Sequence, residues 1–202
     1  MKFKTMAFLL AMAVTSPAFA QLAGPTTDLA KLEGGDFTVD KGHARIIFSY
    51  GHFGYSTSYG LFTDFDAKLT FDPKAVASST LVATINMDGI DTTVPKLNAH
   101  LKTPDFFDTA KFPSATFTST KVVVTGPTTG TVTGDLTLHG VTKPVTLDVT
   151  FNGGGTNAAK LYDLGFNATG HVKRSDFGLG AYVPMVGDDI TLTISAEFDR
   201  VK

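Results

Sequence analysis

Apolar and polar residues alternate with a period of two through most of this chain, which constrains the fold more than any other feature. In "LFTDFDAKLTFD" Leu61, Phe65, Ala67, Leu69 and Phe71 take one face, while Asp64, Asp66, Lys68, Thr70 and Asp72 take the other. The same period sets Leu81, Ala83, Ile85 and Met87 on one side, then Val145, Leu147, Val149 and Phe151, then Ile190, Leu192, Ile194, Ala196 and Phe198. Strands with one apolar and one polar face belong to antiparallel sheets solvated on one side. Strand-like alternation covers residues 43–53, 58–72, 79–88, 114–125, 130–139, 142–153, 160–173 and 189–200, and "HGVTK" reads as the turn of a hairpin over 130–152. About eight such strands must either close into a barrel or stack as a sandwich. The interior is rich in phenylalanine and has no tryptophan. It is either a packed core, as close packing favours, or the lining of an apolar cavity.

One stretch breaks the period. In "TTVPKLNAHLKTPDFFD" Val94, Leu97 and Leu101 fall at helical spacing, Thr93 is placed to cap the N-terminus, and Pro95 suits a first turn. Pro104 ends that helix, and Thr103 then caps a short turn carrying Asp105, Phe106, Phe107 and Asp108. Two adjacent phenylalanines cannot point the same way along a turn, so at least one is expected to project into the domain. That geometry suits a plug over one end of a barrel, and equally a crossover that buries two aromatics.

The N-terminus carries Lys2 and Lys4, an apolar run from Met6 to Val14, then Ala18-Phe19-Ala20. This has the form of a cleaved secretory signal with its cut after Ala20, and the run is well short of the roughly 20 residues that span a bilayer. The expected division is therefore a signal over 1–20, a linker over 21–35 and one domain over 36–202. The short basic start and the Ala-Phe-Ala exit favour a Gram-negative periplasm. Net charge is −2 and becomes more acidic once Lys2 and Lys4 are removed, so no basic surplus exists to neutralise a nucleic acid. The chain has no cysteine although export would permit disulfides, so its stability must come from the core.

Taken together, "HLKTPDFFDTAKFPSATFTST", "GDLTLHGVTKPV", the opening "VDKGHARIIFSYGHFG" and the later "GFNATGHVKRSDFGLG" resemble the signature segments of the YceI-like proteins, in order and spacing from about Val39 to Phe198. Two positions depart from the family pattern. Ala44 stands where a serine often follows the first histidine, and Ala99 where an acid often precedes His100. The resemblance implies an extended, lipocalin-like antiparallel barrel of eight strands with a short helical cap, enclosing an apolar tunnel that holds an isoprenoid chain. It further implies a non-catalytic periplasmic carrier of a polyisoprenoid, such as a quinone or a prenyl phosphate, with no cofactor beyond that lipid. A homodimer, an assembly seen in the family, is implied as well. On this reading Phe48, Phe65, Leu69, Ile85, Phe117, Leu136 and Phe198 line the cavity, Phe106 and Phe107 close it, and His43, His52, His100 and Arg174 are the head-group candidates.

The competing chemistry is a histidine-dependent metal or hydrolytic site built from His43, His52 and His100 at one barrel mouth. Neither H-E-x-x-H nor G-x-S-x-G occurs. His43 and His52 are separated by an odd number of positions and fall on opposite faces of a regular strand unless a bulge intervenes. His139, before Gly140, is better explained by a structural hydrogen bond. His100 reads either as a polar group satisfied beside the cap or as a ligand contact. Arg174 reads either as a partner for Asp176 or another acid, or as a contact to an anionic head group.

Overall fold

The computed structural model describes residues 24–201; the expected signal segment and its cut after Ala20 lie outside them. Eleven strands form one antiparallel sheet. They are β1 (Gly35–Val39), β2 (Arg45–His52), β3 (Ser56–Phe62), β4 (Phe65–Phe71), β5 (Thr80–Asn86), β6 (Ile90–Asp91), β7 (Ser114–Val124), β8 (Thr129–Leu138), β9 (Val141–Thr156), β10 (Tyr162–Lys173) and β11 (Asp189–Arg200). The single α-helix among the described residues, α1 (Pro95–Leu101), lies between β6 and β7.

The pairings reduce these strands to a simple closed figure. β1 and β2 lie end to end along β11, β4 and β3 follow along β1 and β2, and β5 and β6 follow along β4 and β3. Each pair is one long strand interrupted in the middle. With β7, β8, β9, β10 and β11 they make an eight-stranded up-and-down barrel, closed where β1 and β2 meet β11. Closure removes the exposed sheet edges that an open meander of this size would present.

The interruptions were not visible in the alternation, and they change which residues face inward. Thr63 and Asp64 break the stretch expected as one strand over 58–72, and the two-residue break shifts the phase. Phe62 therefore lines the interior with Phe65, Ala67, Leu69 and Phe71, and Leu61, expected on that face, does not. The breaks lie at one level: Asn86 N–H donates to Asp64 O at 2.9 Å, Thr63 N–H to Gly89 O at 2.9 Å, and the Asn86 amide to Asp64 Oδ2 at 2.8 Å. Above this level, at the α1 end, β6 pairs only with β3, and no ladder joins it to β7.

The lower end is tied more tightly. Residues 24–34, read from sequence as part of a linker, pack on the barrel: Thr26 exchanges two hydrogen bonds of 2.9 Å with Gly154, and Glu33 N–H donates to the Tyr162 hydroxyl at 2.9 Å. Leu32 is buried there beside Phe37, Leu164 and Phe198. β1 itself lies ahead of the first strand expected from the alternation. At the upper end the β8–β9 hairpin turns through His139 and Gly140 at φ 51° and 75°, the paired positive values of a type I′ turn. His139 Nδ1 lies 3.1 Å from Phe177 O, the structural bond expected of it.

Candidate functional site

Inward-facing residues of all the long strands enclose a cavity of about 790 Å³ that runs from the β7–β8 hairpin to the α1 end. This volume lies toward the top of the roughly 300–1,000 Å³ range of small-molecule sites. Phe48, Phe65, Leu69, Ile85, Phe117, Leu136 and Phe198 all line it, as do Phe106 and Phe107. The barrel is thus hollow along its axis, although many lining residues are buried from solvent.

Glycines on neighbouring strands keep the large rings from filling that space. Phe48 stands opposite Gly60, where an added Cβ would lie 2.3 Å from the ring, and Phe117 lies equally close over Gly134 at 2.4 Å. The rings therefore lie along the wall instead of across the bore. At the lower end Phe151, Phe166, Phe71 and Phe198 form a chain of contacts with centroids 5.2 to 6.2 Å apart.

The ionisable groups that line the cavity (His52, His100, Arg174, Tyr50 and Tyr182) gather at the upper end. Tyr50 was missed at the sequence level, although it continues the inward phase of Ile46 and Phe48. The cap is built around them. Thr93 does not cap α1; it sits at φ 64° while Val94 occupies the cap position without a side-chain bond. The helix is instead fastened to β6 by Asn98, whose amide donates to Asp91 Oδ1 at 2.9 Å and accepts from the Thr92 hydroxyl at 2.6 Å. The Asn98 amide and Thr93 N–H hold the Asp91 carboxyl below its usual pKa. Thr103 ends the helix by donating its hydroxyl to His100 O at 2.8 Å, and its own carbonyl accepts from Phe106 and Asp108 N–H at 3.0 Å. That turn aims both phenylalanines at the bore. Phe106 packs between His100 and Tyr182, with centroids 4.9 and 6.1 Å away, and Phe107 meets the edge of Phe62 at 6.3 Å.

Arg174 follows neither reading based on a carboxylate partner. It is 8% exposed and forms no ion pair with Asp176 or any other acid within 4.0 Å. Its Nε donates to Gly187 O at 2.9 Å and Nη2 to Val186 O at 2.8 Å, and Nη1 donates to Leu179 O. Burial lowers its pKa from the usual value, with the Asp188 charge opposing. Three of the five guanidinium N–H groups are spent on the loop after β10, and the side chain also lines the bore.

His43 stands apart from His52 and His100. It lies before β2 and outside the bore, with Nδ1 2.6 Å from Asp40 Oδ2. The histidine site expected at one mouth is therefore not assembled, because the break between β1 and β2 carries His43 away. Asp40, His43 and Glu197 place ligand-type atoms within 4.8 Å of one another, but the His43–Asp40 hydrogen bond already occupies that geometry. The bond to Asp40 raises the His43 pKa from 6.5, with the Asp40 and Glu197 charges adding to it, and holds Asp40 below the usual carboxylate value. The raised His43 pKa gives stability that is full below the unfolded value and fades as pH rises through the folded one. The depressed Asp40 pKa gives stability that is lost only as pH falls through its own folded value. Proton NMR should accordingly find His43 titrating above 6.5 in the native protein and back near it in Asp40→Asn; an unchanged midpoint would show that the pair does not form.

A profile described as YceI-like domain matches residues 37–198. The Protein YceI of Escherichia coli O157:H7 is 42% identical over 164 residues, covering 80% of this chain and 85% of that one. The crystal structure of Burkholderia cenocepacia BcnA superposes with a TM-score of 0.72 at 26% identity, covering 79% of this chain and 98% of that one. A polyisoprenoid binding domain from Saccharophagus degradans, implicated in plant cell wall breakdown, shares the fold at a TM-score of 0.58 and 12% identity, covering 84% of this chain and all of that one.

Proposed function

From the fact that this chain belongs to the YceI-like family, and from the bore at its centre, we propose that it is a periplasmic carrier of a long-chain amphiphile, a polyisoprenoid such as a quinone or a prenyl phosphate. The observation that carries this reading is the polarity of the cavity. Its walls are mainly apolar over the length of the barrel, and the ionisable side chains lining it stand at one end. A tail lying among Phe65, Leu69, Phe117, Leu136 and Phe198 would put its head group beside His52, His100, Tyr50 and Arg174. Each methylene-sized group moved from water into such a bore contributes about 0.8 kcal/mol, so retention grows steeply with chain length. Carrying a tail asks for its solvation and release, and among the described residues no nucleophile is paired with a base along the bore.

Native mass spectrometry of the protein isolated from its own periplasm, followed by organic extraction, tests this directly. The expected result is one isoprenoid-type lipid per chain, released by solvent. A chain that emerges empty, or carries a metal ion in place of a lipid, would refute the carrier reading.

A further inference from the structure

The β2–β3 hairpin and the loop before β11 meet at the upper mouth, and both are free of charge. Residues 46–63 and 177–187 contain no Asp, Glu, Lys or Arg, in a chain of which 18% is charged. They are stitched together: Phe53 N–H donates to Met185 O at 2.7 Å, Gly187 N–H donates to Gly51 O at 2.8 Å, and His52 bridges Val186. From this joined rim Tyr55, Tyr182, Met185 and Phe53 project at 91%, 60%, 57% and 42% exposure. Two of them, Phe53 and Tyr182, sit at φ 52° and 63°, in a left-handed region unfavourable for aromatic residues. Backbone strain of this kind concentrates at functional surfaces.

We infer that this rim docks on the surface of a phospholipid bilayer, so that the bore opens directly into lipid. The inference rests on the carrier reading for its purpose. Phe53, Tyr182 and Val186 belong to the rim and to the lining of the bore at once, so the exposed patch continues the apolar wall outward. A tail crossing from membrane to bore through water would re-expose its apolar surface, at a cost that grows with every methylene. Seating the rim in the interface removes that gap. Tyrosine suits the position because its ring is apolar and its hydroxyl remains hydrated at head-group level. With no lysine or arginine on the hairpin or the loop, the attraction is apolar. It therefore needs no anionic lipid and persists at high salt, unlike docking through a basic patch.

Sedimentation of the processed protein with vesicles of pure phosphatidylcholine, at physiological and at high salt, tests the inference. Binding is expected at both salt levels, and the double variant Tyr55→Asp/Met185→Asp should weaken it by more than about tenfold while leaving the melting temperature unchanged. Each charge lands on a side chain that is more than half exposed, so the fold is not at stake. No pelleting of the native protein, binding confined to anionic vesicles and erased by salt, or equal binding by the double variant would each overturn it. So would a doubled mass in light scattering that the variant abolishes, since the rim would then join two copies of the chain. Lipid extraction reports separately on the carrier reading: rim-dependent vesicle binding by a chain with an empty bore would refute the cargo and leave the docking surface standing.

Discussion

Replacing Arg174 with methionine should lower the melting temperature by about 6–12 °C, the largest loss expected of any single polar substitution in the barrel. The change leaves the carbonyls of Leu179, Val186 and Gly187 without their donor. Each stranded buried acceptor costs about 1–3 kcal/mol, and relief of a buried charge offsets part of the sum. A net loss of about 3 kcal/mol shifts the midpoint by about 2–4 °C per kcal/mol in a chain of this size. Arg174→Lys should lose nearly as much, because an ammonium cannot reproduce the planar fork that reaches three carbonyls. Lys173→Gln next to it should change little, since the Lys173–Asp189 pair is exposed on both sides. Thermal unfolding followed by circular dichroism decides the matter. A midpoint within about 2 °C of the native one would mean the loop is held by other contacts.

The second large effect is expected in ligand retention. Phe106→Ala and Phe107→Ala each remove a ring that lines the mouth of the bore and is itself only partly buried against the cluster of Phe48, Ile90 and Leu101. Full burial of a side chain of this size is worth about 1.5–3 kcal/mol, so each truncation should speed release of a long-chain ligand by about 10- to 100-fold. The same rings contribute less to the fold, and the melting temperature should fall by only a few degrees, about 2–4 °C for a loss near 1 kcal/mol. Dissociation of a fluorescent isoprenoid and thermal melting, measured on the same preparations, separate the two. Equal free-energy losses in both assays would make the pair ordinary core residues, and the turn at Thr103 to Asp108 a crossover with no closing role.

Long regular stretches were legible from residue order, and places where backbone geometry overrides the alternation were not. Along β9 and β11, Val145 to Phe151 and Ile190 to Phe198 face inward as the period of two requires, because an uninterrupted ladder preserves the phase. At Thr63 and Asp64 the chain steps sideways without a glycine or proline to mark the spot, so Leu61 and Phe62 exchanged faces unannounced. His43 failed as a bore residue for the same reason: Asp40 to Ala44 interrupt the path between β1 and β2. Arg174 shows a different limit. Its partners are main-chain carbonyls, which every residue carries, so composition pointed toward acids that do not pair with it. The charge-free hairpin and loop were present in the sequence all along, but only their meeting at one mouth gives them meaning.

Above the level where three strands break, β6 and β7 share no hydrogen-bonded ladder, and α1 with the turn after it fills the gap. The barrel therefore has a side seam whose opening costs side-chain contacts and a few polar bonds, such as Thr109 to Asp88 at 2.9 Å, without any strand being unzipped. Motions of that kind are those of lids, on timescales of microseconds and longer, and they leave the ladders intact, whereas parting two paired strands requires unfolding of the sheet itself. Cargo exchange through this seam would leave the lower barrel fully paired, so the protein could fill and empty many times while most of its amide protons stayed protected.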